Sequence, residues 1–344
     1  METYTKLKNN RVALSEAIPL PMPFTLFVDP TNHCNFHCSF CPRNQSDFHQ
    51  YAGDFTHMTR ECFDKIIKGL QQFHGKLKVL RLWYLGEPLL GKNFFYILEQ
   101  SIRYNIAERI ELSTNGSMLT RDTSEKILSL VKSFAGSFYL RVSVYSVWEK
   151  RERDITKSSI TVGQIFDNVK TFRELRDRDA VSGGGTNVRI YAKKLDTYDS
   201  ENEEFLHKYR PIVDEVELEE PMEWNGAGNR ELLDEAYSKN DIARLKQNKM
   251  PKACAYPFHT LAIQADGKVV CCCVDWTRGT CVGDVNEESL YDIWHGEKLR
   301  QLRYLHLSGR RSEIPACCNC HKLPHGGVYE KDNLDDVNPE ILSK

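Results

Sequence analysis

Hydrophobic positions along this chain follow two alternating periods. Short runs rich in β-branched and aromatic residues read as strands: Thr25–Asp29, Leu77–Tyr84, Arg109–Ser113, Phe138–Val144, Asn187–Ala192 and Asp214–Leu218. Between them lie longer segments whose apolar residues recur at helical spacing. Thr59–Phe73 carries Cys62, Phe63, Ile66, Ile67 and Leu70 on one face, and Thr59 stands where an N-cap belongs. Phe94–Ile106, Asp122–Phe134, Val162–Leu175 and Glu201–Tyr209 read the same way, and Gly183-Gly184-Gly185 marks a turn before the fifth strand. Six strand–helix alternations predict an α/β fold on a parallel sheet, either a partial or full barrel or a doubly wound sheet. Residues 1–24 read as a polar lead ending in a Pro-rich stretch, and 221–253 as a polar helical connector. A different region starts at Cys254. His259–Gln264 and Lys268–Cys272 form a hairpin around Asp266-Gly267, and Ser289–Leu302 is helical. No internal repeat is visible.

Composition narrows the class. The chain has 344 residues, with 46 Lys plus Arg against 48 Asp plus Glu, so bulk charge gives no reason to expect nucleic acid or an anionic membrane as partner. No apolar run approaches the ~20 residues of a membrane span, and the first residues lack the apolar stretch of a secretory signal. A cytoplasmic protein is expected. Its 12 cysteines are then unlikely to form disulfides and point to metal or redox chemistry. They fall in two clusters. Cys34, Cys38 and Cys41 follow the first strand, and none occurs between Cys62 and Cys254. Cys254, Cys271, Cys272, Cys273, Cys281, Cys317, Cys318 and Cys320 crowd the end, while Cys62 sits on an apolar helix face and reads as packing.

The first cluster has the spacing Cys-x3-Cys-x2-Cys. Three thiolates on one loop can hold three irons of a [4Fe–4S] cubane and leave the fourth open. The competing reading is a zinc knuckle with His33 or His37 as fourth ligand. With Phe40 before the last cysteine, the motif resembles the signature of the radical S-adenosylmethionine (SAM) superfamily. Leu85-Gly86-Glu87-Pro88, Ser113-Thr114-Asn115-Gly116 and Ser143 on the fourth strand are similar to further elements of that family. The resemblance implies a partial (β/α)6 TIM-like barrel over 25–220. It implies a cluster on Cys34, Cys38 and Cys41 whose open iron binds SAM, and SAM contacts from Gly86, Glu87, Asn115, Ser143 and Phe40. Arg153, with Arg151 as competitor, is implied for the SAM carboxylate. Each of these short motifs is also an ordinary turn, and Arg141 and Ser143 share one strand face, so they equally read as a polar face.

The second cluster resembles the SPASM/twitch extension of the same superfamily, a small α+β domain over 254–325 followed by a tail, 326–344. It implies one auxiliary [4Fe–4S] cluster on Cys254, Cys272, Cys317 and Cys320. Cys271 or Cys273 could replace Cys272, Cys318 could replace Cys317, and Cys281 has no assigned role. A structural zinc site is the alternative. The implied activity is hydrogen abstraction by a 5′-deoxyadenosyl radical from a hydroxyl-bearing small molecule of sugar or cyclitol type. The auxiliary cluster would accept an electron, a flavodoxin or ferredoxin would donate one, and Arg189 is a candidate base. Peptide modification, redox-neutral epimerisation with a cysteine as hydrogen donor, and a zinc-stabilised binding protein are the alternative functions.

Overall fold

A computed structural model describes residues 12–181, 187–219, 251–318, 320 and 330–343. The alternating pattern folds as a chain of βα units. The strands are β1 (Thr25–Val28), β2 (Leu77–Arg81), β3 (Ala107–Thr114), β4 (Ser137–Ser143), β5 (Val188–Leu195) and β6 (Glu215–Glu219). All pair in parallel in that order, forming a partial (β/α)6 TIM-like barrel. Helix α1 (Leu14–Ala17) precedes the barrel. Helices α2 (Phe48–Ala52), α3 (Arg60–Leu70), α4 (Phe94–Arg103), α5 (Arg121–Val131), α6 (Glu149–Thr156), α7 (Val162–Val181) and α8 (Asp199–Tyr209) connect the strands. Thr59 caps α3 as expected, accepting the Cys62 amide at 3.1 Å.

One face of the sheet is sealed by helices. Leu26, Leu80, Ile110, Leu140 and Ile190 from the strands pack with Phe63, Ile97, Ile127 and Phe172 from the helices, all fully buried. The period-2 alternation of the strands sends the other residues to the opposite, open face. In β4 the apolar Phe138, Leu140 and Val142 are buried, and Tyr139, Arg141 and Ser143 are half-buried.

The small C-terminal region after residue 250 joins the barrel sheet. Its hairpin forms from β7 (Thr260–Ile263) and β8 (Lys268–Val270), turning at Gly267 with φ +96°, as its Asp-Gly pair predicts. But β7 also pairs in parallel with β1, Thr25 opposite Thr260 through Val28 opposite Ile263. The hairpin therefore extends the barrel sheet, and β9 (Cys281–Asp284), which the sequence reading missed, adds the ninth strand. Nothing local in sequence signals a pairing across more than 230 residues.

The described part of the lead, from residue 12, packs against the rest of the chain. Leu14, Ile18, Leu20 and Met22 are buried, and the Leu20 carbonyl accepts the Trp294 indole N–H at 3.0 Å. Part of the tail also docks: Leu334 is buried and Asp335 accepts the Ala253 amide at 3.1 Å. The triple-glycine turn and nearly all of the 221–253 connector lie outside the described residues, as do His321 and His325. Among the described residues no helix is long and apolar enough to cross a membrane.

Candidate active site

The three cysteines of the first motif lie on the loop that leaves β1. Helix α6 holds this loop from below: the His37 and Ser39 amides donate to the carbonyls of Thr156 and Ile155, at 2.8 and 2.9 Å. From within, the Cys41 amide donates to the Cys38 carbonyl, and the Asn44 side chain to the same carbonyl at 2.7 Å. The Arg43 guanidinium donates to the Phe36 carbonyl at 2.5 Å. Cys38 is buried, and Cys34 and Cys41 are half-buried. Burial raises all three thiol pKa values, that of Cys34 to about 11, and the charge of Cys41 and of Cys34 pushes Cys38 up further. Three desolvated thiols that repel one another as thiolates are a donor set suited to a cationic group placed among them.

Gly86 is the closest point between this loop and the next strand. A methyl group at Gly86 would overlap the Thr31 carbonyl oxygen and lie 2.6 Å from that of His33. The neighbouring Glu87 amide donates to the His33 carbonyl at 2.8 Å. The sequence reading gave Gly86 the freedom to approach a ligand; here it permits the approach of the cysteine loop itself. The Glu87 carboxylate is buried and accepts from the Thr114 hydroxyl and the Asn115 amide, both at 2.7 Å, and from the Leu89 amide at 3.2 Å. Burial raises its pKa to about 7, against these hydrogen bonds. Asn115 then extends from Glu87 to the loop, its Nδ2 donating to Asn35 at 3.0 Å and standing 3.9 Å from Cys34 Sγ. Phe40 packs on Tyr145, ring centroids 5.2 Å apart.

Gly86, Glu87, Asn115 and Phe40 are thus brought together around the cysteines, and Ser143 ends β4 on the open face beside Lys193 of β5. Two predicted residues are not brought there. Arg153 lies on the exposed face of α6. The competitor, Arg151, points inward, 3.5 Å from Glu201 and over the Tyr198 ring at 4.6 Å. The helical period decides this, since residues two apart on α6 point in different directions. Arg189 is the second residue of β5, at its N-terminal end, with a side chain 55% exposed and paired to Glu215 at 3.9 Å. The cysteine loop lies over the C-terminal strand ends, so Arg189 does not reach it.

Three residues near the site went unpredicted. Asp29 is fully buried at the end of β1; burial raises its pKa to about 8, and its Oδ2 accepts the Leu85 amide at 3.3 Å. Glu152, buried on α6, is raised to about 8 by burial and accepts the Ser146 amide at 2.6 Å. Tyr145 lies close enough to the three thiols to feel their charge. Asp29 stands beside the motif in sequence and was legible; Tyr145, after β4, and Glu152, on α6, are distant in sequence with no local signal.

The second cysteine set lines one cavity. Its walls include Cys254, Cys271, Cys272, Cys317 and Cys320, with Asp275 and His306. Five thiols around one space are a donor set suited to an iron–sulfur cluster. Burial raises the pKa of Cys317, and the charges of Cys271, Cys254 and Cys320 raise it further, so these four thiols face one space. Cys271 and Cys272 reach it together because β8 ends at Val270, behind an irregular register, and strand alternation no longer separates them. The expectation that Cys271 must face away from Cys272 fails for that reason. Cys273 packs instead with Trp83, Tyr84 and Trp276 on the open face, and Cys318 and Cys281 are exposed.

Asp275 holds the loop over this cavity. Its carboxylate accepts from the Thr280 amide at 2.6 Å, the Thr280 hydroxyl at 2.7 Å, the Gly279 amide at 3.1 Å and the Thr277 hydroxyl at 2.9 Å. Asp275→Ala leaves these donors unsatisfied, and a stability loss of about 2 kcal/mol is expected. Denaturant midpoints would register it; a variant as stable as the parent would refute the role.

The same two regions are matched by known families. A family model described as the radical SAM superfamily matches residues 28–188, and one described as an iron-sulfur cluster-binding domain, SPASM, matches 254–321. The chain belongs to the radical SAM superfamily. It is a radical SAM enzyme with a C-terminal SPASM domain, and its cofactors are SAM, a [4Fe–4S] cluster and auxiliary iron–sulfur chemistry. Among curated proteins it is 20% identical over 311 residues to the S-adenosyl-L-methionine-dependent 2-deoxy-scyllo-inosamine dehydrogenase of Niallia circulans, covering 90% of this chain and 96% of that relative. It is 22% identical to the tungsten-containing aldehyde ferredoxin oxidoreductase cofactor-modifying protein of Pyrococcus furiosus, over 86% of each. Among solved structures, BtrN in complex with AdoMet and 2-DOIA superposes with a TM-score of 0.54 at 18% identity, over 90% of this radical SAM chain and 98% of BtrN. Streptococcus suis SuiB bound to precursor peptide SuiA gives 0.61 at 14% identity, over 95% of this chain and 76% of SuiB. Both likenesses are of fold.

Proposed function

We propose that this radical SAM enzyme oxidises a hydroxyl-bearing small molecule of sugar or cyclitol type. The observation that carries the reading is the alignment with a cyclitol dehydrogenase along nearly the whole of both chains. Adjacent strands support it. β1 leads into the first cysteine loop, its neighbour β7 leads to the second cysteine set, and Tyr84 bridges them by donating to the Asp275 carbonyl at 2.8 Å. When bound, the first cluster with SAM supplies a 5′-deoxyadenosyl radical for hydrogen abstraction, and one auxiliary cluster supplies an electron acceptor.

Cys34, Cys38 and Cys41 would hold the first. Gly86 and Glu87 set the loop against β2, Asn115 braces Cys34, and Ser143 and the inward-facing Arg151, rather than the exposed Arg153, would serve SAM. Cys254, Cys317, Cys320 and either Cys271 or Cys272 would hold the second. A one-electron donor of flavodoxin or ferredoxin type is required.

A second reading, redox-neutral epimerisation, draws on Cys273, whose side chain lies on the open face among aromatic residues. Turnover in deuterated water separates the two. Oxidation leaves no solvent deuterium on the reacting carbon and releases a carbonyl product. Deuterium found at that carbon would reject the dehydrogenase reading.

A further inference from the structure

The open face of the barrel sheet carries charges that neither cluster site uses. In-register pairing sets them in rows. Arg81, Glu111, Tyr139 and Arg189 form one row, and Ser113, Arg141, Tyr191 and Glu215 the next. Ser143, Lys193 and Glu217 form the row nearest the C-terminal strand ends. Arg141 pairs with Glu217 at 3.1 Å, Lys193 with Glu219 at 3.0 Å, and Glu111 takes Arg81 at 3.1 Å and Arg109 at 2.8 Å.

Stability does not account for these pairs. Exposed ion pairs contribute little to stability, and more buried ones lose to desolvation much of what they gain in attraction. The side chains of Arg141 and Glu217 are only 11% and 25% exposed, so they meet that cost while still facing the open side. Beside them Tyr139 and Tyr191 set their rings 5.2 Å apart at 32°.

We infer that this wall, centred on Arg141 and Glu217, is the substrate-binding surface and takes a polyhydroxylated ring. The inference rests on the reading of the enzyme as acting on a hydroxyl-bearing small molecule, and it names the residues that select it. A hydroxyl is both donor and acceptor. A guanidinium beside a carboxylate offers donors and acceptors in two planar forks, which match neighbouring hydroxyls on one ring. An anionic ligand would use only the cations and would have to displace the carboxylates. The tyrosine pair supplies a flat surface for the C–H face of the ring. Ser143 closes the top row beneath the cysteine loop, so a ring held here presents an edge toward the site of hydrogen abstraction.

The test is titration calorimetry on the reconstituted holoenzyme with 2-deoxy-scyllo-inosamine, scyllo-inositol and an unrelated linear peptide as probes. A cyclitol is expected to bind. Glu217→Gln and Arg141→Met are each expected to weaken binding about 10-fold or more, as loss of charge-assisted hydrogen bonds does. Arg141→Lys, which keeps the charge and loses the fork, is expected to weaken it too and guards against misfolding of the larger change. Arg300→Gln, on an exposed helix outside the sheet, is expected to bind as the parent does. SAM affinity is expected to stay unchanged in all four. Parent-like cyclitol binding in the Arg141 and Glu217 variants, or no cyclitol binding by the parent, would overturn the inference. Cyclitol binding that depends on the pair, without oxidation of the bound probe, would uphold it and fail the dehydrogenase reading instead.

Discussion

Gly86→Ala is expected to cost about 3 kcal/mol of stability and to strip the first cluster from the enzyme. The added methyl group meets the Thr31 and His33 carbonyl oxygens, which are backbone atoms and cannot rotate away. Relief requires the cysteine loop to move off β2. That movement breaks the bond from the Glu87 amide to the His33 carbonyl and shifts Cys34, the next residue in the chain. Iron content of the reconstituted protein should fall from about eight per chain toward about four, since two cubanes hold four irons each. SAM cleavage should be lost with it. The auxiliary site, built on residues beyond 250, is expected to keep its iron. A Gly86→Ala enzyme with full iron and parental melting temperature would show that the loop does not depend on this contact.

Much of this site was legible because its parts are local. A strand that ends, a Cys-x3-Cys-x2-Cys loop and a Gly-Glu-Pro turn are each readable from neighbouring residues. The six barrel strands matched because alternation in a sheet sealed on one face leaves a strong period-2 signal, clearest in Ser137–Ser143. What failed was non-local or directional. The pairing of β7 with β1 joins residues far apart in the chain, so the continuation of the barrel sheet into the C-terminal SPASM domain was not visible. The roles of Arg153 and Arg189 depended on where a side chain points and which end of a strand it occupies. Arg153 is on the wrong side of α6, and Arg189 is at the wrong end of β5. The Arg141–Ser143 face was visible as a polar face, but its partners Glu217 and Glu219 come from β6 and appear only with the register.

Separating the two cysteine sets gives the other large effect. Alanine at Cys34, Cys38 and Cys41 together is expected to leave about four irons per chain and abolish SAM cleavage. Alanine at Cys254, Cys317 and Cys320 is also expected to leave about four, but SAM cleavage should persist while substrate oxidation stops. Iron and sulfide assays with the electron paramagnetic spectrum of the reduced protein read both outcomes. Zinc in place of iron in the parent would sink the assignment of both sites. Between Cys271 and Cys272 the geometry leaves a narrower choice, because both line the cavity. Cys271 is fully buried and lies close enough to Cys317 to raise its pKa, whereas Cys272 interacts first with Cys273, on the open face. Cys271→Ser and Cys272→Ser, assayed singly, should therefore differ, with one losing auxiliary iron and the other retaining it. If neither lost iron, the cavity would be held by three thiols and a different fourth ligand; His306, which also lines it and whose Nδ1 accepts the Cys254 amide at 3.2 Å, is the nearest candidate.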